Sequence, residues 1–524
     1  LSKPDKKDPV PPSIGYGAGH TLVFQSDTSP LPSFSVAWSE GGAGLAEGTV
    51  KTGRLVEPKG HLYSNGKESS TYRADTGDAD RDAKRLNMDG KVVVQSVDKT
   101  QTLRAPHGEY RGDVGIVRAT GGVTATGPFG TLSGTPELWA TPDLKLIGTP
   151  DMVAKTLKIP ALVALAATAA IAPGRLQKGN EIEIPKFGPT ITKVSPTGQR
   201  TTVQPPKGEP LIIRMPSRGL VFRLTTAAVL DLDPKGTQLR HLKTDGPVNV
   251  VQTAPDGSQN TLDGTGAEYG SKPGATTGDL DVGGRVTLVS ATKNGAATTT
   301  TTSKGDQGSA VLLVKPTNGQ SALQSATLAG NVTIDSSGSA NGTFSGKGDR
   351  MVYTPKGDTA DVILDGHTIL TSVTKDGSDS RTVVGKGARS HAVLLAQPPA
   401  GQSPLKSAVL EQNVDIDVSG TNGQKFQGSG DRLVYTVEGE GGRAVMTGDL
   451  KFAGDAPGFL GNMVGADTAT VTLNKQGLDE IRTSNSGGTP STSTIKLPPQ
   501  KPKTVEPKKG KPKANPTKKK GGKS

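Results

Sequence analysis

A fixed internal period constrains this chain more than any other feature. Ala326-Thr-Leu-Ala-Gly-Asn-Val-Thr-Ile-Asp335 shifted by 82 residues falls on Ala408-Val-Leu-Glu-Gln-Asn-Val-Asp-Ile-Asp417. The same shift carries Phe344-Ser-Gly-Lys-Gly-Asp-Arg-Met-Val-Tyr353 onto Phe426-Gln-Gly-Ser-Gly-Asp-Arg-Leu-Val-Tyr435, and Gly305–Leu313 onto Gly387–Leu395. A degraded third copy of the last segment is Gly465-Ala-Asp-Thr-Ala-Thr-Val-Thr-Leu473. One shift that holds over several separate segments points to a stacked architecture filling 239–484. A fainter copy lies earlier, where Gly90-Lys-Val-Val-Val and Leu103–Tyr110 resemble Gly246-Pro-Val-Asn-Val and Leu262–Tyr269.

Within a repeat the side chains alternate, so residues of one parity share a face. Even positions read Leu328, Gly330, Val332, Ile334, Phe344, Gly346, Gly348, Val352, then Ala360, Val362, Leu364, Gly366, Thr368 and Leu370. The next copy gives Leu410, Val414, Ile416, Val418, Phe426, Val434, Ala444, Met446, Leu450 and Phe452. Odd positions are mostly Thr, Asn, Asp, Lys and Ser. Short runs bounded by Asp-Gly, Asn-Gly and Lys-Gly favour antiparallel hairpins. Only 3% of residues are aromatic, and Gly (70) with Pro (38) makes about a fifth of the 524 residues. Such a chain predicts an all-β fold whose thin apolar face is buried against a second sheet. That face is either a dry core or the lining of a groove for acyl chains. The candidate lining is Leu328, Val332, Ile334, Phe344, Val352, Val362, Leu364, Leu410, Val414, Ile416, Phe426, Val434 and Met446.

The formal charge of +12 is concentrated at one end. From Lys496 to Lys523 there are eleven lysines against the single acid Glu506, which leaves the body at +2. This Lys/Pro-rich tail, 485–524, has too little apolar content to fold and predicts disorder. Two roles fit it: loose contact with anionic lipid, glycan or phosphate surfaces, or solubilisation. A specific nucleic-acid partner is not expected.

Residues 1–19 read as linker, 20–151 as a β domain, 175–214 as linker or irregular chain, and 215–484 as the main β repeats. Between them, 152–174 has Lys155 and Lys158, the apolar stretch Ile159–Ala172 and the small-x-small site Ala170-Ile-Ala172. Those are the parts of a secretory signal, here inside the chain. A buried helix and a membrane anchor are the alternatives, the stretch being short for a span of ~20 residues.

Chemistry-bearing patterns are sparse. Cysteine is absent, which excludes thiolate metal sites, thiol nucleophiles and disulfides. The histidines His20, His61, His107, His241, His367 and His391 form no i,i+4 pair, and no nucleophile elbow, Walker loop or EF-hand pattern occurs. Gly346-Lys-Gly-Asp-Arg and Gly428-Ser-Gly-Asp-Arg precede strands, and their Asp349/Arg350 and Asp431/Arg432 pairs predict a repeated turn. The expectation is a protein without catalysis, metal or cofactor.

The ladder Leu86-Asn-Met-Asp-Gly-Lys-Val-Val-Val, Thr102-Leu-Arg-Ala, Tyr110, Gly121-Gly-Val-Thr-Ala resembles the OstA-like repeats of lipopolysaccharide-transport proteins. It recurs as Leu328-Ala-Gly-Asn-Val-Thr-Ile, Gly342–Gly348, Tyr353 and Gly366-His-Thr-Ile-Leu. The first half, with Tyr72-Arg-Ala-Asp, is similar to the LptC type and the second half to the LptA type. The resemblance covers roughly 70–150 and 215–484. It implies a β-jelly-roll with open ends in a Gram-negative-type periplasm. It also implies lipopolysaccharide or another acylated lipid as ligand, and head-to-tail pairing of edge strands with itself or with other transport proteins. The two halves and the Lys-rich tail depart from the family pattern.

Overall fold

The computed structural model describes residues 19–484 and 494–496, apart from 27–28, 47–48, 168, 170–173, 179–180, 236–237, 256, 295–296, 317–321, 338–341, 377, 400–401, 422, 440, 457–458 and 475. The 1–18 part of the expected linker, most of the Lys-rich tail and the Ala170-Ile-Ala172 site therefore lie outside the described residues. The chain is all-β and its strand pairing is antiparallel throughout.

Long strands generate the architecture by crossing between two facing sheets. In Leu239–Thr253, the segment Leu239–Lys243 pairs with Ala228–Leu232, while Val248–Gln252 pairs with Leu220–Leu224. We call the sheet containing Leu220–Leu224 the first and that containing Ala228–Leu232 the second. Each crossing strand bends where the register shifts: at Ala105/His107, Thr244/Pro247, Ala329/Val332, Asp365/Thr368, Lys386/Arg389 and Glu411/Val414. The bends stack into one corner joining the sheets.

Glycines make that corner possible. Gly90, Gly330, Gly366 and Gly448 have φ of +75°, +77°, +78° and +108°, the region that side chains rarely adopt. A methyl group on Gly90 or Gly330 would also lie 2.6 Å from a carboxylate oxygen of Asp75 or Asp306, and closer at Gly366 to Asp349 and at Gly448 to Asp431. The next residue often continues the left-handed turn and meets the same acid: Lys91 and Asp75 at 3.5 Å, Asn331 and Asp306 at 2.8 Å, His367 and Asp349 at 3.5 Å. The repeated Asp349/Arg350 and Asp431/Arg432 pairs thus mark bends in mid-strand, not hairpin turns.

Hydrogen bonding closes two circuits around the interior. Ten strands form the first: Gly130–Ala140, Leu146–Gly148, Thr190–Ser195, Gly198–Val203, Ala228–Leu232, Leu239–Thr253, Leu220–Leu224, Leu211–Met215, Ile182–Phe187, Gly174–Lys178 and back. Six form the second: Gln259–Gly270, Thr277–Val282, Gln307–Leu313, Leu323–Ser337, Ala297–Gly305 and Val286–Asn294. From Thr343 to Asn474, strands of fourteen or more residues, followed by the eight-residue strand Gly477–Ser484, pair only with their sequence neighbours among the described residues. One bent ribbon is folded on itself there, without backbone pairing across the side opposite the corner.

Two expected boundaries are corrected. Residues 175–214 are not irregular, since Gly174–Lys178, Ile182–Phe187, Thr190–Ser195, Gly198–Val203 and Leu211–Met215 are strands, with Ile182, Ile184, Leu211, Ile213 and Met215 buried. Their brevity and the interrupting prolines hid the alternation. Pro185, which has no N–H to donate, sits in the strand whose pairing to Leu211–Met215 comes down to Glu183 opposite Arg214. Nor does 152–174 divide the molecule. Gly130–Ala140 pairs with strands on both sides of it, and one hydrophobic core runs from Phe24 to Ile481.

Within that segment lie two short helices, Pro150–Leu157 and Pro160–Ala166, broken at Lys158 and Pro160. Val153, Ala154 and Leu162 pack with Ile116, Trp139, Leu146 and Ile191 in a small second core outside the sheets. Of the described apolar residues in Ile159–Ala172, Leu162 is buried in this core, Ile159, Leu165 and Ala166 pack partly against it, and Val163 is 55% exposed. No helix among the described residues is long and apolar enough to cross a membrane.

Candidate functional site

The interior between the sheets gathers most of the expected lining. Leu328, Val332, Ile334, Phe344, Val362, Leu364, Leu410, Val414, Ile416, Phe426 and Met446 are all buried in the same core. Phe426 stacks on Phe452 with ring centroids 5.5 Å apart. Val352 and Val434 do not belong to the set. They are half-buried on the outer face, and their neighbours Met351, Tyr353, Leu433 and Tyr435 turn inward instead. The register shifts between Lys347 and Arg350, and between Ser429 and Arg432, insert an extra residue, which reverses the parity of the rest of each strand.

This interior is filled by its own side chains. Beneath the six-stranded circuit, a void of about 30 Å³ is walled by Leu220, Val250, Leu262, Leu280, Leu288 and Leu312 among others. That is room for about one or two waters and far less than an acyl chain. A larger cavity of about 740 Å³ opens beside it, opposite the corner, sharing Asn260 and Leu323 with the void. Its walls combine Ser258, Ser290, Thr299 and Thr301 with Tyr353, Pro355, Ala360 and Leu394.

The seam on this side is held by a feature that alternation alone did not bring out. Tyr110, Tyr269, Tyr353 and Tyr435, the tyrosines of successive repeats, lie on the second sheet with their rings buried. Each hydroxyl reaches a polar group across the interior. Ser33 Oγ donates to Tyr110 at 3.4 Å, and Tyr353 meets Ser290 at 3.3 Å. Arg218 Nη1 donates to Tyr269 at 2.6 Å, with its guanidinium carbon 5.5 Å from that ring's centroid. Arg381 Nη2 donates to Tyr435 at 3.5 Å. The rings demand small residues below them, because a methyl on Gly278 would collide with Tyr269 and one on Gly442 would stand 2.7 Å from the Tyr435 hydroxyl.

Both arginines are buried, at 2% and 1% exposure, where a charge needs partners. Arg218 donates to Glu181, and Arg381 bonds the carbonyls of Asn474 at 2.5 Å and Gly441 at 3.3 Å. Asn474 and Gly441 lie at strand ends on the opposite side of the seam, as does Gln476, whose amide bonds Asp379 at 3.4 Å. Ser403 similarly donates to the carbonyl of Thr343 at 3.1 Å. Burial pushes the Tyr110, Tyr353 and Tyr435 phenols up, so they serve as neutral donors and acceptors at ordinary pH. The sequence carried a trace of this latch in the repeated Tyr. Its partners come from strands far away in the chain.

No group of three or more His, Asp or Glu able to hold a metal ion occurs among the described residues. His107 and His241 instead pair with acids on adjacent strands, Asp89 at 2.7 Å and Glu268 at 3.0 Å. No protein-family model matches the chain. No curated protein matches it either.

Proposed function

We propose that this chain is a non-enzymatic lipid-binding bridge of a Gram-negative-type envelope, working in the periplasm and carrying lipopolysaccharide or another acylated lipid in its apolar interior. One observation carries the reading: beyond Thr343 the two sheets are hydrogen-bonded along the corner, while the opposite seam is held by side chains and strand ends. Parting that seam exposes a continuous apolar trough and breaks no backbone ladder. The likeness of the repeat to OstA-like transport proteins points to the same ligand class.

A second reading is favoured by a different observation. The lining is fully packed, as in a structural or adhesive repeat protein with a dry core. Chain purified from its native envelope, extracted and analysed by mass spectrometry, separates the two. Co-purifying acylated lipid supports the bridge. Lipid-free protein that also takes up none from lipopolysaccharide micelles supports the dry core. Because the chain has no cysteine, Asp379→Cys with Gln476→Cys can be joined across the seam by a short thiol cross-linker; the bridge requires that joining reduces lipid uptake.

A further inference from the structure

We propose that the outer face of the first sheet, near the start of the corner, is a binding site for a phosphate group bearing two or more negative charges. A cavity of about 930 Å³ lies there, walled by Trp38, Lys59, Arg73, Lys91 and Arg104. Strand register sets the charges in a row: Lys59 lies opposite Arg73, Arg73 opposite Val93, and Val93 opposite Arg104. Directly opposed residues have Cβ atoms ~5 Å apart, and like charges so placed destabilise a sheet. Two strand spacings of ~4.8 Å put Arg104 about 10 Å from Arg73.

Like charges face each other elsewhere too, as Arg85 and Arg111 do, but acids offset them there, Glu109 beside Arg85 and Asp113 beside Arg111. Glu109 lies between Arg85 at 2.8 Å and Arg118 at 3.6 Å, and Asp365 lies between Arg350 at 3.5 Å and Arg389 at 3.2 Å. Lys59, Arg73 and Arg104, all exposed, form no such ion pair among the described residues. Of the two acids in the wall, Asp75 is engaged by Lys91, and Glu57 leaves the cleft net positive. Three unneutralised cations converging on a concavity suit a multiply charged phosphate, with the arginines forming paired N–H contacts to its oxygens. The inference is independent of what fills the interior.

Titration calorimetry of the full chain with inorganic pyrophosphate tests it, comparing Arg73→Gln/Arg104→Gln with Arg223→Gln/Arg443→Gln, which removes the same charge from exposed positions elsewhere. The expected result is a dissociation constant raised by about tenfold or more in the first variant and by less than about twofold in the second. Equal constants in the two variants, as the Lys-rich tail alone would produce, overturn the proposal. Sedimentation with phosphatidylcholine vesicles containing phosphatidic acid identifies the source of the phosphate. Loss of vesicle binding in the first variant alone assigns a lipid headgroup, whereas unchanged vesicle binding with lost pyrophosphate binding assigns a soluble phosphate. All four positions are exposed, so unchanged melting temperatures should accompany either outcome.

Discussion

Gly366 shows what one residue contributes to the corner. Its φ of +78° is strained for any side chain, and Asp349 occupies the space a methyl would need. Gly366→Ala should destabilise by about 1–3 kcal/mol in urea unfolding. Asp349 is largely exposed and able to swing away, so Gly366→Ala/Asp349→Ala should recover part of the loss and leave the backbone strain. The seam tyrosines predict a pH dependence. Burial raises the phenol pKa of Tyr110, Tyr353 and Tyr435. Their protons are thus held in the folded chain at a pH where the unfolded chain, near ~10, releases them. This contribution is fully present below pH ~10 and is lost as pH rises toward the raised folded values. Unfolding midpoints should fall above pH ~10, less steeply in Tyr353→Phe.

At the scale of the strand, period-two alternation was legible and its interruption was not. Leu328, Val332 and Ile334 keep one parity through their bend because Gly330 and Asn331 insert as a pair. In Thr343–Lys356 and Lys425–Glu438 a single extra residue enters, so Val352 and Val434 turn outward and the tyrosines inward. Nothing in Gly-Asp-Arg distinguishes one inserted residue from two; the register of the neighbouring strands decides it. A charge scan checks this directly. Val332→Asp and Val414→Asp bury an unpaired carboxylate and should cost several kcal/mol or abolish folding. Val352→Asp and Val434→Asp place it on the outer face and should cost less than about 1 kcal/mol in denaturant unfolding. Equal damage at all four positions would contradict the parity switch. The short strands of 175–214 escaped notice for a related reason. Runs of five or six residues broken by prolines carry too few alternations to stand out, and only the circuit they complete gives each a partner.

Across the whole molecule, repetition announced a stack, and the structure extends it further by merging the expected domains into one core. What repetition could not disclose is where the stack ends, because edges depend on which strand lacks a neighbour. Thr21–Ser26 pairs with Ser29–Ala37 and has no other partner strand among the described residues, and Val23 on it is 53% exposed. An unpaired strand edge offers N–H and C=O groups to another chain. At the other end, the strand Phe459–Asn474, which carries the degraded third copy, is paired on both sides, with Gly441–Ala456 and Gly477–Ser484. Assembly through the first edge is therefore the sharper test. Neighbouring residues of an edge strand direct their backbone groups alternately outward and toward the paired strand. Of Leu22→Pro and Val23→Pro, one removes an outward N–H and the other removes a ladder bond. If chains join head to tail by strand pairing, light scattering at high concentration should show the outward substitution weakening association with the melting temperature kept. The inward one should lower the melting temperature of the hairpin that holds the edge. Strict monomers in the unsubstituted chain, or equal association in all three proteins, would show that this edge is capped and not shared.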